Sequence, residues 1–151
     1  MQDRHCALQH TQRSKQIIDT LLCEAYVLNM RSNFVSLHPY FKAHPGKLEA
    51  IKAVFPRFME KTATEGKNLF YGFSVSGDEI FCREGYMDAD GVVAHLDNVG
   101  ALLAEMLKIA DLIRMELHGP ADELDKLREP LAHLNPAWFT IECSLAAESR
   151  K

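Results

Sequence analysis

From Asn33 onward the spacing of apolar residues alternates between a period of two and a period near 3.6, and the order of those switches leaves few possible architectures. Phe34 to Phe41 (FVSLHPYF) reads as a strand, closed by the turn signal His44-Pro45-Gly46. Leu48, Ile51, Phe55, Phe58, Met59 and Thr62 then recur at helical steps, which predicts one helix kinked at Pro56, where a backbone N–H is missing. Leu69–Val75 and Ile80–Tyr86 flank Ser76-Gly77-Asp78 and read as a hairpin. Asp88 is placed to cap a helix over 89–108 whose stripe is Val92, Leu96, Val99, Leu103 and Met106. Residues 110–118 (ADLIRMELH) alternate, with Ile113, Met115 and Leu117 on one side and Leu112, Arg114, Glu116 and His118 on the other. A third helix over 122–134, carrying Leu124, Leu127, Leu131 and Leu134, and a strand over 138–143 complete the pattern.

The order β-α-β-β-α-β, followed by α-β, defines an α+β chain of ferredoxin-like type: an antiparallel sheet with helices on one face, extended by a C-terminal helix and strand. Pro39 fits badly in a central strand, so the strand is expected to end at His38 or to carry a bulge. Residues 1–31 read as an N-terminal extension, with a short helix permitted over 17–28, or with the ordered chain starting at Met30. Residues 32–145 form the expected domain and 146–151 a tail. Asp19 and Glu24 interrupt any secretory apolar core, and no apolar run approaches the roughly 20 residues that span a bilayer. The net charge of −4 divides unevenly: four basic against three acidic residues in 1–31, thirteen against eighteen in 32–151. An acidic domain without a basic stripe argues against a nucleic-acid partner. Cys6, Cys23, Cys82 and Cys143 show no metal or redox spacing, so the expectation is reduced thiols in the cytoplasm.

If Val35, Leu37, Met115 and Leu117 face the helices, the other face of the sheet carries Phe34, Ser36, His38 and Tyr40 beside Leu112, Arg114, Glu116 and His118. Aromatics mixed with arginine are typical of a protein interface, so this face is expected to hold a second copy of the chain. The i, i+2 spacing of Glu116 and His118 is too unspecific for a metal site, and a hydrogen-bond network with His38 is expected instead.

The entry His44-Pro45-Gly46-Lys47, the hairpin YGFSVSGDEIFCREGYMDADG (71–91) and AHLDNVG (94–100) resemble the antibiotic biosynthesis monooxygenase-like group of dimeric α/β-barrel proteins. The tail HGPADELDKLREPLAHLNPAWF (118–139) resembles one subgroup of it. The likeness covers about 33–143. It implies a homodimer built by packing two sheets face to face, and a cavity within each subunit between sheet and helices. It also implies oxidation of a small aromatic or quinol-like molecule without metal, flavin or other cofactor. A non-catalytic small-molecule-binding protein and a haem-binding or haem-degrading one are the alternatives on the same fold.

Within that frame His95, on the shoulder of the second helix's buried stripe and close to Asn98, is the candidate base or proton shuttle; a histidine recurs there in the family pattern. The bland alternative is a core-edge histidine holding a carbonyl. Glu84 shares a strand face with Ile80, Cys82 and Tyr86, so as a buried carboxylate it needs a partner, and pairing with His95 would fix the imidazole tautomer. Tyr71, Phe73, Asn98 and Tyr86 are the candidate substrate contacts, with simple core packing the alternative for Tyr71 and Phe73, which share a strand face. Arg83 points the other way and is expected in an ion pair, and Trp138 is expected to anchor the last strand.

Overall fold

The computed structural model describes residues 34–142 and 144. The extension, the Met30 start and the tail fall outside these residues, as do Cys6, Cys23 and Cys143. Strand β1 (Val35–Ala43) leads through α1 (Leu48–Lys52) and α2 (Phe55–Thr62) into the hairpin β2 (Asn68–Ser76) and β3 (Glu79–Tyr86). The long helix α3 (Ala89–Met106), β4 (Ala110–Gly119), α4 (Ala121–Leu127), a 3₁₀ turn (Ala132–Leu134) and β5 (Ala137–Thr140) follow. The strands form one sheet in the order β2-β3-β1-β4-β5, with β5 parallel to β4 and the other pairs antiparallel. This is the expected α+β, ferredoxin-like arrangement with one helix and strand added. Gly77, at φ +62°, makes the turn between β2 and β3. Asp88 caps α3 by accepting a 2.9 Å bond from the Gly91 amide, while Lys67 donates to both its oxygens. Among the described residues no helix is long and apolar enough to cross a membrane.

Three local departures have physical causes. The expected single helix over 48–62 is two, interrupted at Ala53-Val54, and Pro56 sits in the first turn of α2. There its missing N–H has no helical partner to lose, so a new helix start replaces a kink. The third helix stops at Leu127 rather than Leu134, because Pro130 cannot continue it; the 3₁₀ turn and the left-handed Asn135 (φ +46°) carry the chain to β5. Leu124, Leu127 and Leu131 are nonetheless buried as their spacing requires.

The third departure shapes the interior. Strand β1 runs through Pro39, and its pairing with β3 lapses at His38 and Pro39 before resuming at Tyr40. On the other side, Tyr40 pairs with Arg114 but Phe41 pairs with Leu112, so Ile113 is an extra residue, a bulge. The bulge reverses the inside–outside phase of β4. Ile113, expected to face the helices, is 48% exposed on the outer face, and Leu112, expected outside, turns inward against both halves of the core. One half of that core is built on Val35, Leu37, Leu117 and α4, the other on Phe41, Phe58, Ile80 and the C-terminal half of α3.

Candidate active site

Where the two halves of the core meet, they leave a cavity of about 60 Å³ between α3 and the sheet. Leu96, Val99, Leu103 and Met106 of α3 form its roof, Phe41, Leu112 and Met115 its floor, and Phe58, Tyr71 and Phe73 one end. The inward turn of Leu112 places it beside Met115 in the floor, so the bulge at Ile113 is part of what shapes the space. Glu84, His95, the Cys82 thiol and the Tyr71 phenol bring polar groups to its lining. An apolar cavity of about 150 Å³ holds a benzene ring. A ring therefore enters this one only after leucine and methionine side chains swing aside, which such flexible linings allow.

Alternation along β3 turns Glu84 inward beside Cys82 and Tyr86, and all three are buried. The Tyr86 hydroxyl donates a 2.6 Å hydrogen bond to Glu84 Oε2, and His95 Nε2 lies 3.1 Å from the same oxygen. Both contacts converge on Oε2, which leaves Oε1 as the oxygen available to a ligand. On its far side, His95 Nδ1 lies 3.0 Å from each oxygen of Glu65, in the loop after α2. Asn98, one helical turn beyond His95, donates 2.7 Å to Glu65 Oε1. The rings of Tyr71 and Tyr86 flank the imidazole, with centroids 5.2 and 5.1 Å away.

Carboxylates only accept, so an imidazole with one against each nitrogen donates from both, as the imidazolium. Burial pulls the His95 pKa down, but hydrogen bonds and charge from Glu84 and Glu65 outweigh it and hold it above the ordinary histidine value. Burial, reinforced by the nearby carboxylates, pushes both the Tyr71 and the Tyr86 phenol upward, so both stay protonated. The Cys82 thiol is pushed up in the same way, first by burial and then by Glu84. A buried, protonated thiol is not a nucleophile.

Of the residues expected to carry chemistry, the structure brings together His95, Glu84, Tyr71 and Phe73 around the cavity. Tyr86 supports Glu84 from behind the cavity wall. Asn98 is not in the lining: its side chain bonds to Glu65 and to the Lys61 carbonyl. Glu65 is the residue that sequence reasoning missed. A lone glutamate after a helix has no pattern, and only the packing of α2 on α3 sets it against His95.

On the outer face, ring contacts run across the strands: Tyr40 stacks on Phe81, His38 on Phe81, and His118 on Phe139, with His38 and His118 edge to face at 4.7 Å. Phe34 meets Phe70 edge to face, and Arg114 lies over Tyr40. Glu116 is buried between Arg114, which bonds to it, and His118, 3.7 Å away. His38 bonds to Ser36, and burial, followed by the nearby His118, lowers its pKa. Arg83, expected in an ion pair, lies instead over the Phe70 ring. Trp138 packs on the core at Leu117 and carries Arg128 over its ring.

A ferredoxin-like sheet with a helix-covered cavity and a buried acid–base cluster at its edge has the fold of the antibiotic biosynthesis monooxygenase-like group. No family model matches the sequence, and no curated protein matches it significantly. Among solved structures, MupZ from Pseudomonas fluorescens is 42% identical, superposes with a TM-score of 0.75, and is covered over 98% of its length by 79% of this chain. A candidate antibiotic biosynthesis monooxygenase from Nitrosomonas europaea shares the fold at 14% identity and a TM-score of 0.55, over 60% of this chain and 93% of its own. A conserved protein from Methanosarcina mazei does so at 13% and 0.54, over 58% and 93%. The chain belongs to the same family as MupZ, and its fold is that of the antibiotic biosynthesis monooxygenase-like group.

Proposed function

We propose that this protein is a cofactor-independent monooxygenase or related oxidoreductase acting on a small, largely apolar molecule of phenol or quinol type. The observation that carries the reading is a buried carboxylate, Glu84, at the edge of an otherwise apolar cavity, with both its hydrogen bonds on one oxygen. His95, the expected base, has carboxylates against both nitrogens, so the proton-accepting role passes to Glu84 Oε1 and His95 holds Glu84 in place. Tyr71 and Phe73 offer ring faces to the substrate. Deprotonation makes such a substrate electron-rich enough to react with dioxygen. One oxygen atom enters in place of two hydrogens, which leave with the other atom as water.

Oxygen uptake and thermal unfolding measured together with a panel of naphthohydroquinones and simple phenols test this. At least one member is expected to raise the melting temperature and to be oxidised with one dioxygen consumed per product. Stabilisation without uptake would make the protein a binding module. Product formed equally well under nitrogen would make the reaction a redox-neutral proton transfer on the same carboxylate. A Soret shift on haem titration would favour the haem reading over both.

The outer sheet face supports a homodimer, because its connected rings and the exposed Ile113 form an apolar, arginine-bearing surface of interface composition. Ile113→Lys and Tyr40→Glu place charge on that surface, remote from the core. Sedimentation equilibrium is expected to show a dimer for the unaltered chain and a folded monomer for the double variant. A monomeric unaltered chain at micromolar concentration, or an undisturbed dimer in the variant, counts against this face.

A further inference from the structure

The His95 clamp has more carboxylate than holding Glu84 requires. One hydrogen bond from Nε2 orients the glutamate; a second carboxylate against Nδ1 adds a buried charge, which is expensive unless it serves something. The two carboxylates differ in what they face. Glu84, with its side chain 5% exposed, opens on the cavity. Glu65, at 11%, lies under the half-buried Asn98, and the exposed Lys61 ammonium donates to Asn98 through its carbonyl and, at 3.4 Å, through Oδ1. A continuous set of contacts thus runs from the surface through Glu65 and both nitrogens of His95 to the cavity. The other groups facing this line are Tyr71 of β2 and Cys82 and Tyr86 of β3, all held protonated.

We propose that Glu65 is the outer, positioning end of a proton relay that links His95, and through it Glu84, to water. The proposal rests on Glu84 being the group that meets the substrate. When Glu84 Oε1 takes a proton from the substrate, the negative charge passes to the substrate anion beside it, and the site as a whole keeps its charge. His95 gives its Nδ1 proton to Glu65, which passes it to water and takes one back by the same route, so each exchange balances one proton out with one in. No oxidant or cofactor enters these steps.

The test needs no substrate. In protein labelled with ¹⁵N-histidine, the two ring hydrogens of His95 are followed by NMR as they exchange with water. Exchange at Nδ1–H is expected to be faster than at Nε2–H, because only Glu65 reaches solvent. Glu65→Gln still accepts the Nδ1–H bond but cannot take the proton, so Nδ1–H exchange should slow on the order of tenfold or more. Glu65→Asp, which keeps a carboxylate, should retain fast exchange, and it carries the comparison if the Gln variant folds poorly. Unchanged Nδ1–H exchange in a folded Glu65→Gln protein, or exchange at Glu65→Asp as slow as at Glu65→Gln, overturns the relay. A relay present in protein that oxidises no member of the quinol panel supports this inference while removing the oxidation reading.

Discussion

Replacing His95 by leucine is expected to lower the stability of the protein by about 3–5 kcal/mol at pH 7, the usual consequence of removing one partner from a buried ion pair. The leucine fills much of the space, so the loss is electrostatic: Glu84 and Glu65 keep their buried positions without the cation between them. Adding Glu84→Gln to the same chain should recover part of it, because the amide has no charge to strand and still accepts from Tyr86. The pH profile gives a second signature. The His95 pKa is held above its unfolded value, so its pairing stabilises the fold fully below about pH 6.5, the unfolded titration range. That share is lost as the pH rises through the higher folded value. Urea unfolding across neutral to mildly alkaline pH should therefore show stability falling in the unaltered chain and a flatter profile in His95→Leu. A His95→Leu protein within 1 kcal/mol of the unaltered chain, with the same pH slope, would mean that water reaches the cluster and screens it.

The fold was legible where one period held over a whole element. Ile80, Cys82, Glu84 and Tyr86 alternate without a break and are all buried, and α3 keeps its stripe from Val92 to Met106. Legibility failed where one residue changes the phase. The alternation of 110–118 looked perfect, yet the bulge moved Ile113 out and Leu112 in. A bulge is set by the neighbouring strand, here one that also carries Pro39, and nothing in β4's own sequence marks it. The proline ends of helices failed differently. Pro56 and Pro130 each announced a disturbance, but whether a proline kinks, starts or stops a helix depends on what packs beyond it.

The site divides in the same way. His95 and Glu84 were readable because each is a polar residue on an apolar face, an anomaly that demands a partner. Asn98 lies on the same helix, yet its side chain points to Glu65 and Lys61 rather than into the cavity. Glu65 and the rings at Phe70, Phe81 and Phe139 were invisible, since each acts across elements far apart in sequence. The size of the cavity was equally unreadable, being the difference between large packed volumes.

Glu84→Gln should be the most damaging conservative change to turnover. Positioned acid–base groups contribute roughly 10²–10⁴-fold, so oxidation of whichever quinol the unaltered protein consumes should fall by about that factor. The substitution is nearly isosteric, and its amide oxygen can still accept from Tyr86 and His95, so the cavity keeps its shape and KM should stay close to the unaltered value. The loss then belongs to kcat, the pattern of an interaction made in the transition state rather than in binding. Substitutions in the apolar lining should do the reverse. Leu103→Ala enlarges the roof of a cavity of about 60 Å³ and should change KM and the preferred ring size, with the carboxylate untouched. Steady-state kinetics on the two variants separate the roles. A Glu84→Gln protein that keeps its kcat would place the base elsewhere, and the carboxylate at the cavity edge would then be structural, held by His95 and Tyr86 for the stability of the sheet alone.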